Sequence, residues 1–114
     1  MISNREEVRL RVMQLIEKNP DITQRELSRR LNVSLGSVNF CVRALIERGL
    51  VKMGNFYRNR DKSTYVYILT PTGVAEKAEI TRKFLKKKRQ EFYNLRTEIE
   101  TLESELLKST DIER

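Results

Sequence analysis

The sequence contains no histidine and only one cysteine among its 114 residues. Without histidine, the chain cannot supply the Ser–His or Cys–His pair of a nucleophilic hydrolase, and a zinc site would have to use carboxylates almost alone. The single cysteine, Cys41, excludes an internal disulfide bond, as is typical of a reducing compartment. We therefore expect no catalytic site, no metal and no cofactor.

Other absences concern phosphate loops and membranes. The four glycines are scattered, so they do not form a glycine-rich phosphate loop. No run approaches the ~18 to 20 apolar residues that a membrane span needs. The first seven residues also lack the apolar core of a signal peptide. These features predict a protein that has no membrane partner and stays in the cytoplasm.

Positive charge is in excess, and it is segregated along the chain. The 23 Lys and Arg residues outnumber the 16 Asp and Glu residues, for a net charge of +7. Residues 1–70 hold 13 basic and 7 acidic side chains, and residues 82–89 hold six basic side chains and no acid. Residues 90–114 are acidic, with three basic and seven acidic side chains. A basic N-terminal part favours a polyanionic partner such as nucleic acid.

Two capping boxes predict the first two helices. Each pairs a hydroxyl residue with a glutamate three positions later, Ser3 with Glu6 and Thr23 with Glu26. Pro20 ends the first helix, because proline cannot continue it. The second helix is short and is followed by a tight turn.

A third helix is predicted from Ser34, its N-cap, to about Arg48, and Gly49 ends it. The apolar residues at helical spacing define the face that turns inward. This inward stripe consists of Val38, Val42 and Leu45, with Cys41 and Ile46 beside it.

The pattern then changes from helical to alternating. Residues 50–57 and 64–69 are strand candidates, and residues 58–63 form a polar six-residue tip, which together predict a β-hairpin. Thr70 and Pro71 supply the N-cap and first position of a further helix. Gly73 lies in the first turn of that helix, where we expect it to have no consequence.

The last helix is predicted to run from Pro71 to about Lys108 and to carry an apolar seam. The seam repeats at alternating intervals of three and four residues, as in a coiled coil. A 70-residue head is too small to cover the whole stripe, so we expect a second copy of the same helix to cover it, in either parallel or antiparallel orientation. The predicted dimerisation residues are Leu85, Phe92, Leu95, Ile99, Leu102 and Leu106, and Ala78 extends the register backwards.

Three helices followed by a two-stranded hairpin is the element order of a winged helix-turn-helix. Residues 23–34 resemble the first helix and turn of that motif, and residues 36–51 resemble the recognition helix running into the first wing strand. Residues 60–63 and 69–73 resemble the wing tip and the following helix start of the MarR family. The resemblance covers roughly residues 5–75, and within the family it is to the short regulators associated with exopolysaccharide gene clusters.

Duplex DNA is the partner that this resemblance implies, and the outward side of the third helix would read it. The candidate recognition-helix residues are Ser34, Gly36, Ser37, Asn39, Phe40 and Arg43. The candidate wing residues are Arg58, Arg60, Lys62 and Ser63, and the candidate DNA-backbone contacts are Thr23 and Gln24.

Several of these features have two interpretations. Phe40 either touches a thymine methyl group or folds back onto the core. Cys41 is either a small core residue, which we favour, or an oxidation sensor. The basic residues at 82–89 either flank a DNA groove or form a solvated collar around the helix, and we favour the collar.

The wing has a second interpretation as well. Its cations either contact DNA or keep the hairpin edges from pairing with other strands. The family usually has Asp-Arg at the tip, whereas this chain has Asp61-Lys62. Either Arg58 or Arg60 then enters the minor groove, or the wing touches only phosphates.

The sequence thus predicts a mainly α fold with a small β-hairpin. Residues 1–70 form a winged helix-turn-helix head, and residues 71–114 form a long coiled-coil dimerisation helix with a frayed tail. The expected function is a homodimeric regulator, a repressor at an inverted repeat near exopolysaccharide genes. The sequence does not indicate whether a small-molecule effector binds it. The alternative is a winged-helix protein-interaction adaptor with a coiled-coil arm and no specific DNA binding.

Overall fold

A computed structural model describes residues 2–59 and 62–113, with backbone only for residues 55–59, 62–65 and 111–113. The fold is mainly helical with one two-stranded antiparallel sheet, as predicted. The elements in chain order are α1 (Asn4–Lys18), α2 (Gln24–Leu31), α3 (Leu35–Glu47), β1 (Val51–Asn59), β2 (Lys62–Leu69) and α4 (Pro71–Glu113). Among the described residues, no helix is long and apolar enough to cross a membrane.

The first capping box is complete and the second is not. The Ser3 hydroxyl accepts the Glu6 N–H, and the Glu6 carboxylate accepts the Ser3 N–H. The Thr23 hydroxyl likewise accepts the Glu26 N–H at 3.1 Å. The Glu26 carboxylate instead accepts hydrogen bonds from two arginines of its own helix, because a guanidinium group binds a carboxylate more strongly than a backbone N–H does.

The end of α3 follows the prediction closely. Gly49 adopts a left-handed conformation with φ of 71°. The Gly49 N–H donates to the Ile46 carbonyl, and the Leu50 N–H donates to the Leu45 carbonyl at 2.9 Å. This is the Schellman arrangement, in which a left-handed residue satisfies the last helix carbonyls. It turns the chain from α3 directly into β1.

One apolar core joins all six elements. The predicted inward stripe of α3 is buried, with Val38, Val42 and Leu45 each at most 1% exposed. The remaining core residues are Ile2, Leu10, Val12, Met13, Ile16, Ile22, Leu27, Leu50, Val51, Tyr67 and Ile80. The burial of the stripe determines how α3 is rotated, and therefore which of its side chains face away from the protein.

The hairpin is longer than predicted. Its register runs from Val51 opposite Leu69 to Asn59 opposite Lys62. The predicted six-residue tip is therefore wrong, because residues 58, 59, 62 and 63 belong to the strands. Polar side chains do not prevent strand pairing, which uses backbone groups that every residue but proline carries. The register shifts between Tyr57 and Asn59, which leaves Arg58 as an extra residue in β1.

Helix α4 has 43 residues and extends past the predicted end at Lys108. At ~1.5 Å per residue it is about 64 Å long, so it projects far from the head. The radius of gyration is accordingly 21.1 Å, whereas a compact chain of this length has about 13 Å.

The first turn of α4 lies against the end of α3. The Thr70 hydroxyl caps α4 by accepting the Gly73 N–H at 3.0 Å and donates to the Gly49 carbonyl at 2.6 Å. A Cβ atom on Gly73 would lie 2.0 Å from the Leu50 carbonyl oxygen. The expectation that Gly73 has no consequence is therefore wrong, because no larger residue fits between the two backbones.

The proximal part of α4 is held against α1 by ion pairs. Lys83 lies 2.9 Å from Glu6, and Lys87 lies 3.6 Å from Glu7. Two further pairs join Arg9 to Glu76 and Lys77 to Glu17. Exposed pairs of this kind contribute little individually, but together they connect the two helices along three turns.

Phe84 reinforces the same contact between α1 and α4. It packs against the core, and two cations lie over its ring, Arg11 at 5.4 Å and Lys88 at 5.2 Å from the centroid. Ile80 is 1% exposed, whereas Leu85 is 47% exposed and Ala78 is exposed as well. The head therefore covers a side of α4 different from the apolar seam.

Candidate nucleic-acid interface

The outward side of α3 carries the predicted recognition residues. Ser37, Asn39, Phe40 and Arg43 are all exposed, because the buried stripe lies on the opposite side of the helix. We call this surface the α3 outer face. It combines donors and acceptors with one cation and one aromatic ring, the groups that contact base edges in the major groove.

Phe40 is 70% exposed on the α3 outer face. The alternative that it folds back onto the core is therefore wrong. A large apolar side chain left open to solvent is available to a partner. Contact of Phe40 with a thymine methyl group stays a prediction.

The N-terminus of α3 lies at one end of this face. The Ser34 hydroxyl caps it by accepting the Ser37 N–H at 3.0 Å, and it donates to the Ser37 hydroxyl at 2.9 Å. The first amides of a helix have no partner within the helix and carry partial positive charge, so they bind phosphate readily. A Cβ atom on Gly36 would meet only the Ser34 hydroxyl, at 3.9 Å, so packing within the protein does not require glycine there.

The two predicted DNA-backbone residues at the start of α2 already have partners within the protein. Thr23 caps α2. Gln24 accepts a hydrogen bond from Asn39 Nδ2 at 3.1 Å and donates from its own Nε2 to the Tyr67 hydroxyl at 3.4 Å. The sequence predicts a phosphate contact for Gln24 and gives no sign of these two hydrogen bonds. Asn39 lies 15 positions from Gln24 along the chain, and Tyr67 lies 43 positions from it.

Part of the positive charge on α2 is neutralised by Glu26. Arg29 and Arg30 both hydrogen-bond its carboxylate, which lowers the pKa of Glu26 to about 2. The same contact raises the pKa of Arg29. Arg29 and Arg30 are therefore less available to bind phosphates than arginines without a carboxylate partner would be.

These carboxylates predict how stability depends on pH. The pKa of Glu26 is lowered to about 2 by Arg29 and Arg30, and that of Glu6 is lowered chiefly by its hydrogen bond from Lys83. A lowered folded-state pKa gives stability that is complete above the ordinary glutamate value and is lost as the pH falls through the folded value. We expect urea midpoints to be constant from pH 8 to 6, since the chain has no histidine, and to fall between pH 4.5 and about 2.

The Glu26→Gln variant provides the control for this prediction. It keeps a hydrogen-bond acceptor for the arginines but removes the titrating group, so its midpoint should fall less steeply in acid. An acid decline of unchanged steepness in this variant would contradict the role given to Glu26.

Four of the six basic side chains at 82–89 are paired with acids. Lys83 and Lys87 bind acids of α1, Arg82 lies 3.2 Å from Glu79, and Lys88 lies 3.2 Å from Glu91. This pairing favours the solvated collar over the interpretation that the cluster flanks a DNA groove. Lys83 and Lys87 additionally hold α4 against α1 of the head.

Cys41 is half-buried beside the inward stripe of α3. Burial raises the pKa of its thiol, which reduces the reactive thiolate fraction. The geometry favours the interpretation of Cys41 as a small core residue. Within the described part of the chain, no group of three or more acidic or cysteine side chains is placed to hold a metal ion.

The wing residues are placed only in part. Arg58 lies in β1, and Lys62 and Ser63 lie in β2. The side chains of these three residues, and Arg60 altogether, lie outside the described part of the structure. The DNA-contact role of the wing therefore remains a prediction from the sequence.

The apolar seam is exposed over its whole length. The exposed fractions are 47% for Leu85, 59% for Phe92, 56% for Leu95, 45% for Ile99, 52% for Leu102 and 70% for Leu106. Six large apolar side chains in one row form a surface that a solitary soluble chain rarely presents. The seam is available to a partner along about 32 Å of α4.

Comparisons with known proteins agree with this geometry. Residues 5–52 match the family described as winged helix-turn-helix DNA-binding. No curated protein matches the sequence. Among solved structures, a point mutant of S. aureus MepR is 18% identical with a TM-score of 0.63, and the alignment covers 99% of this chain and 81% of that one.

Two further solved structures share the fold. A MarR/EmrR family transcriptional regulator from Acinetobacter sp. ADP1 is 18% identical with a TM-score of 0.61, over 78% of this chain and 59% of that one. Streptococcus pneumoniae FabT in complex with DNA is 25% identical with a TM-score of 0.55, over 82% and 61% respectively. The chain therefore spans about three fifths of the length of these two proteins. Residues 5–52 thus match a winged helix-turn-helix DNA-binding family, and the hairpin of β1 and β2 that follows is the wing. The fold of the chain is similar to that of a MarR/EmrR family transcriptional regulator.

Proposed function

We propose that this protein is a homodimeric transcriptional regulator that binds duplex DNA with the α3 outer face. The observation that carries the proposal is the exposure of Asn39, Phe40 and Arg43 on one side of a helix whose other side is buried. Residues 1–70 act as the DNA-binding head and residues 71–114 as the dimerisation helix. The Thr23 and Ser34 helix starts dock on phosphates, which orients the head before bases are read.

Base recognition follows from the side chains of the α3 outer face. Asparagine binds adenine through one donor and one acceptor, and arginine binds guanine through two donors. Asn39 and Arg43 are assigned these roles, with Phe40 against a thymine methyl group. The wing residues Arg58, Arg60, Lys62 and Ser63 are assigned to the DNA backbone or the minor groove.

The seam of α4 is assigned to a second copy of the chain. A row of apolar side chains at heptad spacing is self-complementary in a two-fold dimer, so the same helix can cover it. A symmetric dimer places two recognition helices on an inverted repeat, ~34 Å apart when the half-sites are one turn apart. Binding at such a site blocks the polymerase, which makes repression the simplest outcome. The target genes would be those of exopolysaccharide synthesis, an assignment supported by the sequence resemblance alone.

The test is a selection of duplexes from a random library, followed by fluorescence anisotropy on the selected duplex and a scrambled one. We expect a preference of ~1000-fold or more for the selected duplex and an affinity that falls steeply with salt. The Arg43→Ala variant should lose about 10-fold or more in affinity for each half-site. It should also lose the base preference at one position of the half-site. The control variant Lys108→Ala also removes one positive charge, but at the far end of α4. It should bind the selected duplex as tightly as the unmodified protein does.

Two outcomes would contradict the proposal. Equal binding to both duplexes would show a basic surface without sequence recognition. No binding at low salt would support the adaptor hypothesis instead, because a protein-docking surface releases no counterions from DNA.

A further inference from the structure

The α3 outer face holds one side-chain amide in a defined orientation before any DNA is bound. Asn39 lies on α3 and Gln24 lies at the first position of α2. Asn39 Nδ2 donates to Gln24 Oε1 at 3.1 Å. An exposed asparagine without such a partner would rotate freely about its terminal torsion.

Gln24 is itself anchored by a residue of the sheet. Its Nε2 donates to the Tyr67 hydroxyl at 3.4 Å. Tyr67 is 6% exposed, and its backbone N–H donates to the Pro20 carbonyl at 2.8 Å, which ties β2 to the segment preceding α2. The relay from Tyr67 through Gln24 to Asn39 thus begins in the core and ends on the α3 outer face.

The relay leaves Asn39 with the groups that adenine requires. A primary amide has two N–H donors and a carbonyl oxygen with two lone pairs. One N–H of Asn39 is used on Gln24, which leaves the second N–H for adenine N7 and the Oδ1 atom for the adenine N6 amino group. The same hydrogen bond opposes a flip of the Asn39 amide alone, because the flipped amide would turn its Oδ1 atom toward the Gln24 Oε1 atom.

We propose that Gln24 is a positioning residue that orients the Asn39 amide for adenine and thereby contributes to base specificity. This inference rests on the proposed function. Gln24 acts through Asn39, and Tyr67 acts through Gln24. The benefit is reduced loss of side-chain freedom on binding, since Asn39 is ordered before it meets the base.

The test measures base preference and amide order in the same set of full-length variants. Gln24→Met keeps the side-chain length but removes both hydrogen bonds, and Tyr67→Phe removes only the hydroxyl. The Asn39→Ala variant identifies the base pair that Asn39 reads, because the preference for adenine is lost there. At that base pair we expect Gln24→Met to lower the preference for adenine by about 3- to 10-fold, and Tyr67→Phe to lower it by less. The inference replaces the predicted phosphate contact of Gln24 with its bond to Asn39, so affinity for a scrambled duplex should stay within about 2-fold in both variants.

The conservative variant Gln24→Glu separates positioning from direct contact. Its carboxylate accepts from Asn39 Nδ2 and from the Tyr67 hydroxyl, so the adenine preference should be retained. Its negative charge should lower affinity for all duplexes alike. Without DNA, NMR relaxation of the Asn39 side-chain NH2 group should show an ordered amide in the unmodified protein and in the Gln24→Glu variant. In the Gln24→Met variant the same group should be mobile.

The outcomes distinguish this inference from the proposed function. An unmodified protein that selects no duplex would overturn the proposed function and this inference together. A selected duplex whose adenine preference survives in Gln24→Met would overturn the inference alone. A uniform loss of affinity in Gln24→Met, with unchanged preference, would also overturn it and would assign Gln24 to a phosphate contact.

Discussion

Replacing Ile99 with glutamate should convert the protein to a monomer and lower its affinity for a two-half-site duplex by about 100-fold or more. Ile99 lies in the middle of the apolar seam and is 45% exposed in the single chain. In a symmetric dimer the new carboxylate would be buried against apolar side chains, and the neighbouring Arg96 is already paired with Glu100. Burial of an unpaired charge costs far more than one apolar contact contributes. Sedimentation equilibrium would measure the oligomeric state, and anisotropy the affinity.

Thr101→Glu is the matched control for this prediction. Thr101 is exposed two residues away and does not belong to the seam. The variant adds the same charge to the same part of α4, so it should remain dimeric and bind DNA with little change. A dimeric Ile99→Glu protein would contradict the assignment of the seam, and a monomeric Thr101→Glu protein would show that charge alone dissociates the helices.

Replacing Gly73 with alanine should destabilise the protein by about 3 kcal/mol, the upper range for overpacking. The added Cβ atom would lie 2.0 Å from the Leu50 carbonyl oxygen and 2.9 Å from its carbon. Both atoms belong to the backbone, so no side chain can rotate to make room. The start of α4 must move away, which disturbs the hydrogen bonds of Thr70 to Gly49 and Leu50. Urea unfolding monitored by circular dichroism would measure the change.

Gly36→Ala provides a control of the same chemistry. Gly36 also lies in the first turn of a helix, but its Cβ atom would meet only the Ser34 hydroxyl at 3.9 Å. Alanine is the better helix former by about 1 kcal/mol, so this variant should be as stable as the original or more so. If Gly73→Ala were also neutral or stabilising, the close approach of α4 to Leu50 would not exist in solution.

The boundaries of the helices were predictable because their signals are local. The Ser3–Glu6 capping box, the Ser34 cap and the left-handed Gly49 each act through residues within one or two turns. The inward stripe of α3 and the apolar seam of α4 follow from helical periodicity, which is also a local property. The α3 outer face could therefore be identified without tertiary information, since it is the side opposite the stripe.

The sequence alone determined the order of the elements, the limits of the first three helices and the two faces of α3. Only the tertiary structure decided that Ile80 and not Leu85 meets the head, that Gly73 lies against Leu50, and that Asn39 is bonded to Gln24. Each of these facts depends on how two elements pack. Contacts between residues distant in sequence carry no periodic or capping signal, because their geometry arises only when the core is assembled.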